Sequence, residues 1–168
     1  QYFDFKENHQ VTNYEKDGRI FIKRAVLKKQ QYDWIILDAY NGDYIPEHLM
    51  TKEFLEETKK LLSPTGVITA NTFSLSQLYN AESATYQAVF GEFYNVRFNE
   101  RGNRIIAYTN DTKPTQAELE SRADQLAPVL IKYGVDIYRV LRSMKIEQDW
   151  PRNTRILTDQ YSPANLLK

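Results

Sequence analysis

The most confining feature of this sequence is the run YDWIILDAY, residues 32–40, in which Trp34, Ile35, Ile36 and Leu37 follow one another without a break before Asp38. Half-exposed strands alternate apolar and polar side chains, so an unbroken run predicts a central parallel strand over 33–37, covered on both faces. A second buried strand is expected over 66–71. Between the two, Thr51 can cap a helix running to residue 62, with Phe54, Leu55, Leu61 and Leu62 inward and Ser63-Pro64-Thr65-Gly66 as its stop. Upstream, 10–15 reads as a short strand ending at Asp17-Gly18, and 19–29 as a helix. Downstream, 76–90 is amphipathic with Gly91 as its stop, while 93–98 and 104–108 form a hairpin around 99–103. Thr115 and Glu118 make a capping box, and further helices are expected over 125–133 and 135–144. Alternating strands and helices followed by a hairpin describe a doubly wound, mostly parallel α/β sheet with a C-terminal antiparallel hairpin. Residues 111–168 are expected to form a helical extension packed on it, the whole being one domain.

Composition narrows the function. With 168 residues and no cysteine, the chain can build a core without disulfides and has no thiolate for a metal. The two histidines, His9 and His48, are too far apart for a local zinc motif, so no metal is expected. Equal numbers of basic and acidic residues, 22 of each, argue against a nucleic-acid binder that relies on overall basicity. No apolar run approaches the roughly 20 residues of a membrane span, and QYFDFKENHQ has neither a basic n-region nor an apolar h-region. Cytoplasm is the default expectation. Residues 34–91 carry three Lys/Arg against seven Asp/Glu, a bias that draws cations; the solvated glutamates of the 51–62 helix account for much of it.

In open α/β sheets ligands bind just beyond the carboxyl ends of strands. Asp17, Asp38 and Asn71 all fall at such ends. Position alone leaves two readings of Asp38 open, a carboxylate facing a ligand or one that ties down a turn. For Asp17-Gly18 the turn-and-cap reading has the greater weight, and Asn71 in ANTFS reads as an Asx-turn.

At these residues the sequence resembles a known family. KDGRIFI, YDWIILDAY, the helix leading into LLSPTGVITANTF and the closing LTDQYSP are together similar to spermidine synthases, the polyamine aminopropyltransferases, whose fold is the Rossmann-like methyltransferase type. The likeness covers nearly the whole chain but only the later part of the family's domain, lacking the first strands. It implies a cytoplasmic, homodimeric enzyme that transfers an aminopropyl group from decarboxylated S-adenosylmethionine to putrescine. It also implies that Asp17, followed by Gly18, contacts the adenine of the nucleoside and that Asp38 helps to deprotonate the attacking amine. A protonated amine cannot attack the carbon beside a sulfonium, so a carboxylate that orients it and takes its proton suits the chemistry. Tyr40 and Tyr161 are candidates for the apolar wall a slender dication needs, although with twelve tyrosines in the chain core packing is the weightier reading of either.

The sequence also departs from the pattern. After Asp38, Ala39-Tyr40-Asn41-Gly42-Asp43 puts Asn41 where the family has a second aspartate, so one amine-binding charge is absent unless Asp43 replaces it. The glycine-rich turn and the ribose-binding acid of the family would precede Gln1, and this chain alone is expected to be inactive and to bind the nucleoside weakly. Three functions therefore stand: a spermidine synthase-like protein, a related methyltransferase-fold enzyme that accepts another amine or transfers methyl instead of aminopropyl, and a silent domain acting by association. The strand at 10–15 is expected to pair with 33–37 through a right-handed crossover, or to be completed by another chain.

Overall fold

The structure is a computed structural model that describes residues 8–40, 45–98 and 102–162. Asp17 Oδ1 accepts a hydrogen bond from the Ile20 amide at 3.0 Å and so caps helix α1 (Gly18–Leu27). Lys29, with φ 54, turns the chain into strand β1 (Tyr32–Leu37). A 3-10 turn (Glu47–Leu49) precedes α2 (Lys52–Lys59), whose cap is Thr51, with Oγ1 accepting from the Phe54 amide at 3.3 Å. Strand β2 (Leu62–Phe73) and helix α3 (Tyr79–Phe90) follow, and Gly91 ends α3 with φ 74, a backbone state that costs glycine nothing. Strands β3 (Tyr94–Arg97) and β4 (Asn103–Thr109) form the expected hairpin. The Thr115–Glu118 capping box opens α4 (Gln116–Leu130), and a 3-10 turn (Ile131–Tyr133), α5 (Ile137–Ser143) and the short β5 (Met144–Lys145) complete the order.

These strands make one sheet in the order β1-β2-β4-β3-β5. β1 and β2 are parallel, with Ile35 opposite Ile68 and Leu37 opposite Ala70, and the remaining pairs are antiparallel. Ile68 and Ala70 of β2 and Ile106 of β4 point to the same face. There they join Ile22 and Ala25 of α1, Phe54 and Leu55 of α2, and Tyr86 and Phe90 of α3 in one buried cluster. Each buried Ile, Leu or Phe among them contributes about 1.5–3 kcal/mol by leaving water, and the alanines less, which is what holds three helices on one side of the sheet. Phe93 and Trp150 close that cluster, their rings stacked at 5.6 Å and 4°. The α/β sheet with an antiparallel hairpin is the one the sequence predicts, although among the described residues only β1 and β2 run parallel and α1 to α3 cover one face.

Several boundaries and one strand differ from expectation. Residues 10–15 are exposed coil rather than a strand; Asn8 Oδ1 accepts from the amides of Gln10 and Val11, a local turn that takes the place of sheet pairing. Tyr14 packs on Phe21 of α1, at 5.2 Å, instead of on the sheet. Consequently β1 pairs only with β2 among the described residues and lies at an edge, not in the centre, with Trp34 62% and Ile36 59% exposed on the face away from α1 to α3. The predicted pairing of 10–15 with β1 is thus absent. α2 stops at Lys59, because Ser63 to Gly66 form an excursion within β2: opposite β1, the register jumps from Leu62 to Val67. A side chain at Gly66 would meet Tyr32 O at 3.0 Å, which explains glycine there. The two helices expected over 115–133 are one helix, α4, carrying Pro128 inside it.

Candidate functional site at the carboxyl ends of β1 and β2

β1 ends at Leu37, and parallel pairing with β2 sets Asp38 beside Asn71. The Asn71 Nδ2 amide donates to Asp38 Oδ1 at 3.1 Å. Its Oδ1 in turn accepts from Asn103 Nδ2 at 3.2 Å, so antiparallel β4 orients β2's side chain and β2 orients the carboxylate. Asn71 is therefore no Asx-turn; it lies within β2, and the second amide across the ladder settles which way its side chain points.

Next to Asp38 opens a small recess of about 30 Å³. Leu37, Ala39 and Asn71 line it at the strand ends, Ile45, Leu49 and Met50 on the loop side, and Phe54, Ala70, Thr72, Glu82 and Tyr86 below. Its walls are apolar apart from Asn71, Thr72, the Tyr86 phenol and Glu82. The Tyr40 ring packs edge-on against Phe73 at 5.1 Å, and its buried hydroxyl has no hydrogen-bond partner among the described residues. Burial first, and then the charges of Asp38 and Glu82, push the Tyr40 phenol up to about 12, so it remains a proton donor at neutral pH.

Glu82 was not among the residues singled out from the sequence. It is buried, and its Oε2 accepts from Arg104 Nη2 at 2.5 Å. The same guanidinium donates to Ser83 Oγ at 2.5 Å and Thr72 Oγ1 at 2.8 Å, and stacks on the Tyr79 ring with its carbon 4.2 Å from the centroid. Burial raises the Glu82 carboxyl, and Arg104 opposes that rise. A signal for both residues exists in the sequence. Leu78, Glu82, Tyr86 and Phe90 form an i, i+4 row on α3, and Arg104, Ile106 and Tyr108 share one face of β4, so each charge stands where the period calls for an apolar residue.

The other predicted residues occupy different ground. Asp17 caps α1 through Oδ1, while Oδ2 lies 2.8 Å from His48 Nε2; the Ile20 amide first, and then His48, hold its carboxyl below the ordinary range. Gly18 opens α1 and faces Leu49, whose other side lines the recess; a Cβ there would meet Leu49 Cδ2 at 3.9 Å, ordinary contact. Tyr161 belongs to the C-terminal turn, where it exchanges backbone hydrogen bonds with Thr158 and carries the Arg155 guanidinium carbon 3.3 Å above its ring; it does not line the recess. Asn41 and Asp43 lie outside the described residues. Asn71 and Glu82 thus line one recess, Asp38 joins it through Asn71, Tyr40 packs nearby on Phe73 without lining it, and Gly18 touches the recess residue Leu49.

The closing LTDQ segment proves to be a clamp. Asp159 accepts two hydrogen bonds from Arg19, both at 2.6 Å, and one from Thr51 Oγ1 at 2.7 Å, tying the first turn of α1 to the cap of α2. Leu157 is fully buried and donates its amide to Thr85 Oγ1 at 2.8 Å. Among the described residues no three His, Cys, Asp or Glu side chains converge as metal ligands, and no helix is long and apolar enough to cross a membrane.

No family model matches the chain. It is 53% identical over 169 residues, all of this chain and 56% of the relative, to the polyamine aminopropyltransferase of Vibrio vulnificus. To the polyamine aminopropyltransferase of Neisseria meningitidis it is 27% identical over 134 residues, 78% of this chain and 49% of that protein. An N-terminal histidine N-methyltransferase of Emericella nidulans is 38% identical over 82 residues, 48% of this chain and 14% of that protein. Among solved structures, a probable spermidine synthase from Corynebacterium glutamicum superposes with TM-score 0.61 at 20% identity over 92% of this chain and 60% of that one. Human methyltransferase-like protein 13, in complex with SAH, does so with TM-score 0.60 at 22% identity over 90% and 67%. The fold is that of S-adenosylmethionine methyltransferases and spermidine synthases. Within that fold the chain is similar along its whole length to the Vibrio vulnificus polyamine aminopropyltransferase, and it spans about half the length of the curated relatives it matches.

Proposed function

We propose that the protein carrying this chain is a spermidine synthase-like aminopropyltransferase of the cytoplasm, acting on putrescine as a homodimer. The observation that supports this most is Asp38, a carboxylate at the end of β1 held by the Asn103–Asn71 relay beside a mostly apolar recess. An amine nitrogen at Asp38 would be oriented by it and give up its proton to it as the new C–N bond forms and the donor's C–S bond breaks, the sulfonium leaving as a neutral thioether. The Tyr40 hydroxyl, buried and unpartnered, offers a donor or acceptor beside the same site. Asn41 and Asp43 belong, in this reading, to the amine-binding loop, and Tyr161 to the wall reached from the C-terminal turn.

The residues present fit one side of the nucleoside donor. Leu37, Ile45 and Leu49 form an apolar wall, and Asp17 at the head of α1 has Oδ2 directed to His48, where an adenine amino group can share it. Decarboxylated S-adenosylmethionine, when bound, supplies an electrophilic carbon beside its sulfonium.

The test is turnover by the whole protein with putrescine and either decarboxylated or intact S-adenosylmethionine, products being weighed by mass spectrometry. Aminopropylated amine is expected, falling ~10²-fold or more with Asp38→Asn while the fold persists. A methylated amine would favour the second reading, which the likeness to a histidine N-methyltransferase supports. Absence of either product would leave a silent domain.

A further inference from the structure

Asp159 joins more of the molecule than a C-terminal turn requires. Arg19, two residues after Asp17, has a side chain only 11% exposed, and Asp159 grips its guanidinium at two points, both 2.6 Å. Asp159 Oδ1, one of the two gripping oxygens, also accepts from Thr51 Oγ1 at 2.7 Å, so a single carboxylate oxygen joins the heads of α1 and α2. The segment that carries it is anchored independently. The Leu157 carbonyl accepts from the Lys52 amide at 2.9 Å, the Asp159 amide donates to Glu53 Oε2 at 2.9 Å, and Leu157 is fully buried. Asp159 is therefore a fixed point against which the first turn of α1 is set.

The 47–50 turn is tied to the same point. The His48 carbonyl accepts from Arg19 Nη1 at 3.3 Å, the His48 imidazole nitrogen Nε2 lies 2.8 Å from Asp17 Oδ2, and Leu49, a wall of the recess, lies beside Gly18. An ion pair whose carboxylate is as exposed as that of Asp159, 41%, stabilises a fold only modestly. A two-point contact between planar groups, in contrast, fixes orientation as well as distance. We infer that Asp159 is a positioning residue: acting through Arg19 and Thr51, it holds Asp17 and the 47–50 turn at the separation that a nucleoside donor spans, without touching the donor itself. This rests on the proposed reading of Asp17 as the adenine contact.

The assignment is tested by titration calorimetry of the whole protein with 5′-methylthioadenosine, alongside steady-state kinetics with decarboxylated S-adenosylmethionine and putrescine. Asp159→Asn removes the charge that grips Arg19 and leaves the residues of the recess untouched. Methylthioadenosine affinity is expected to fall, and the donor KM to rise, by roughly tenfold, because small misplacements of a binding group are costly. The kcat at saturating donor and the KM for putrescine stay within about twofold, a split that a general loosening of the fold would not give. Arg19→Lys keeps the charge but not the two-point contact; it is the milder replacement should Asp159→Asn unfold, and is expected to show the same split at roughly threefold. Unchanged donor affinity in a folded variant, or an equal rise in KM for both substrates, overturns the inference. Asp17→Asn separates the inference from the reading beneath it. If that variant binds methylthioadenosine normally while Asp159→Asn does not, the adenine role of Asp17 fails and Asp159 acts through the 47–50 turn. If Asp17→Asn weakens binding and Asp159→Asn does not, the adenine reading stands and the role of Asp159 fails.

Discussion

Asn71 donates its side-chain amide to Asp38 at 3.1 Å and receives one from Asn103 at 3.2 Å, so the carboxylate at the end of β1 is aimed by two residues of neighbouring strands. One neutral hydrogen bond of this kind is worth about 0.5–1.5 kcal/mol. For the proposed transfer by the whole protein, Asn71→Ala is accordingly expected to lower kcat/KM by roughly three- to tenfold, against ~10²-fold for Asp38→Asn. Equal losses in the two variants would mean that Asn71 does more than orient.

The Glu82–Arg104 pair makes a stability prediction independent of substrate. Removing one partner strands a buried charge, at a cost of about 3–5 kcal/mol, whereas removing both costs much less. Glu82→Ala should therefore shift the urea midpoint of this chain more than the double replacement does. If the double replacement is the more damaging, the pair is a net stabiliser.

Asp159 predicts an acid limb. Its carboxyl is held below the ordinary value of 3.8, by the Arg19 hydrogen bonds first and Thr51 with lesser force. A carboxylate whose folded pKa is depressed contributes stability that is complete above its unfolded pKa and is lost as pH falls through the folded one. Asp17, lowered mainly by the Ile20 amide, acts in the same direction. Thermal melts should show stability level near neutrality and falling below about pH 4, with Asp159→Asn less stable at neutral pH and flatter in acid. An unchanged slope in that variant would remove the clamp as its source.

The two tryptophans report opposite surroundings. Trp150 is 7% exposed and stacked on Phe93, whereas Trp34 is 62% exposed and anchored by one hydrogen bond from Nε1 to Thr69 Oγ1 at 3.1 Å. Phe93→Ala should cost about 3–5 kcal/mol and redden the Trp150 emission. Trp34→Ala in this chain should cost about 1 kcal/mol or less. Denaturant titration followed by fluorescence checks both, and a large loss at Trp34 would show that its face is covered in solution.

Local signals in the chain were enough for everything that depends on neighbours along it. Thr51, Thr115 with Glu118, and Gly91 mark helix ends by chemistry acting within one turn, and all three act where the sequence says they should. The apolar run of β1 and the hairpin of β3 with β4 were legible for the same reason, as was the place of Asp38 at a strand end. What remained hidden depends on residues far apart in sequence. A run such as Trp34 to Leu37 records that two faces are suited to burial, but not what lies against them, so the edge position of β1 emerged only from pairing. The same holds for Asn71, Glu82 and Asp159. Each has a partner 22 to 140 residues away, and a side chain's hydrogen bond over that span exists only after β2, β4, α1 and α3 have packed. The charges that interrupt the apolar rows of α3 and β4 were visible in the sequence as anomalies, but their pairing, and the recess that Glu82 faces, are properties of the assembled sheet.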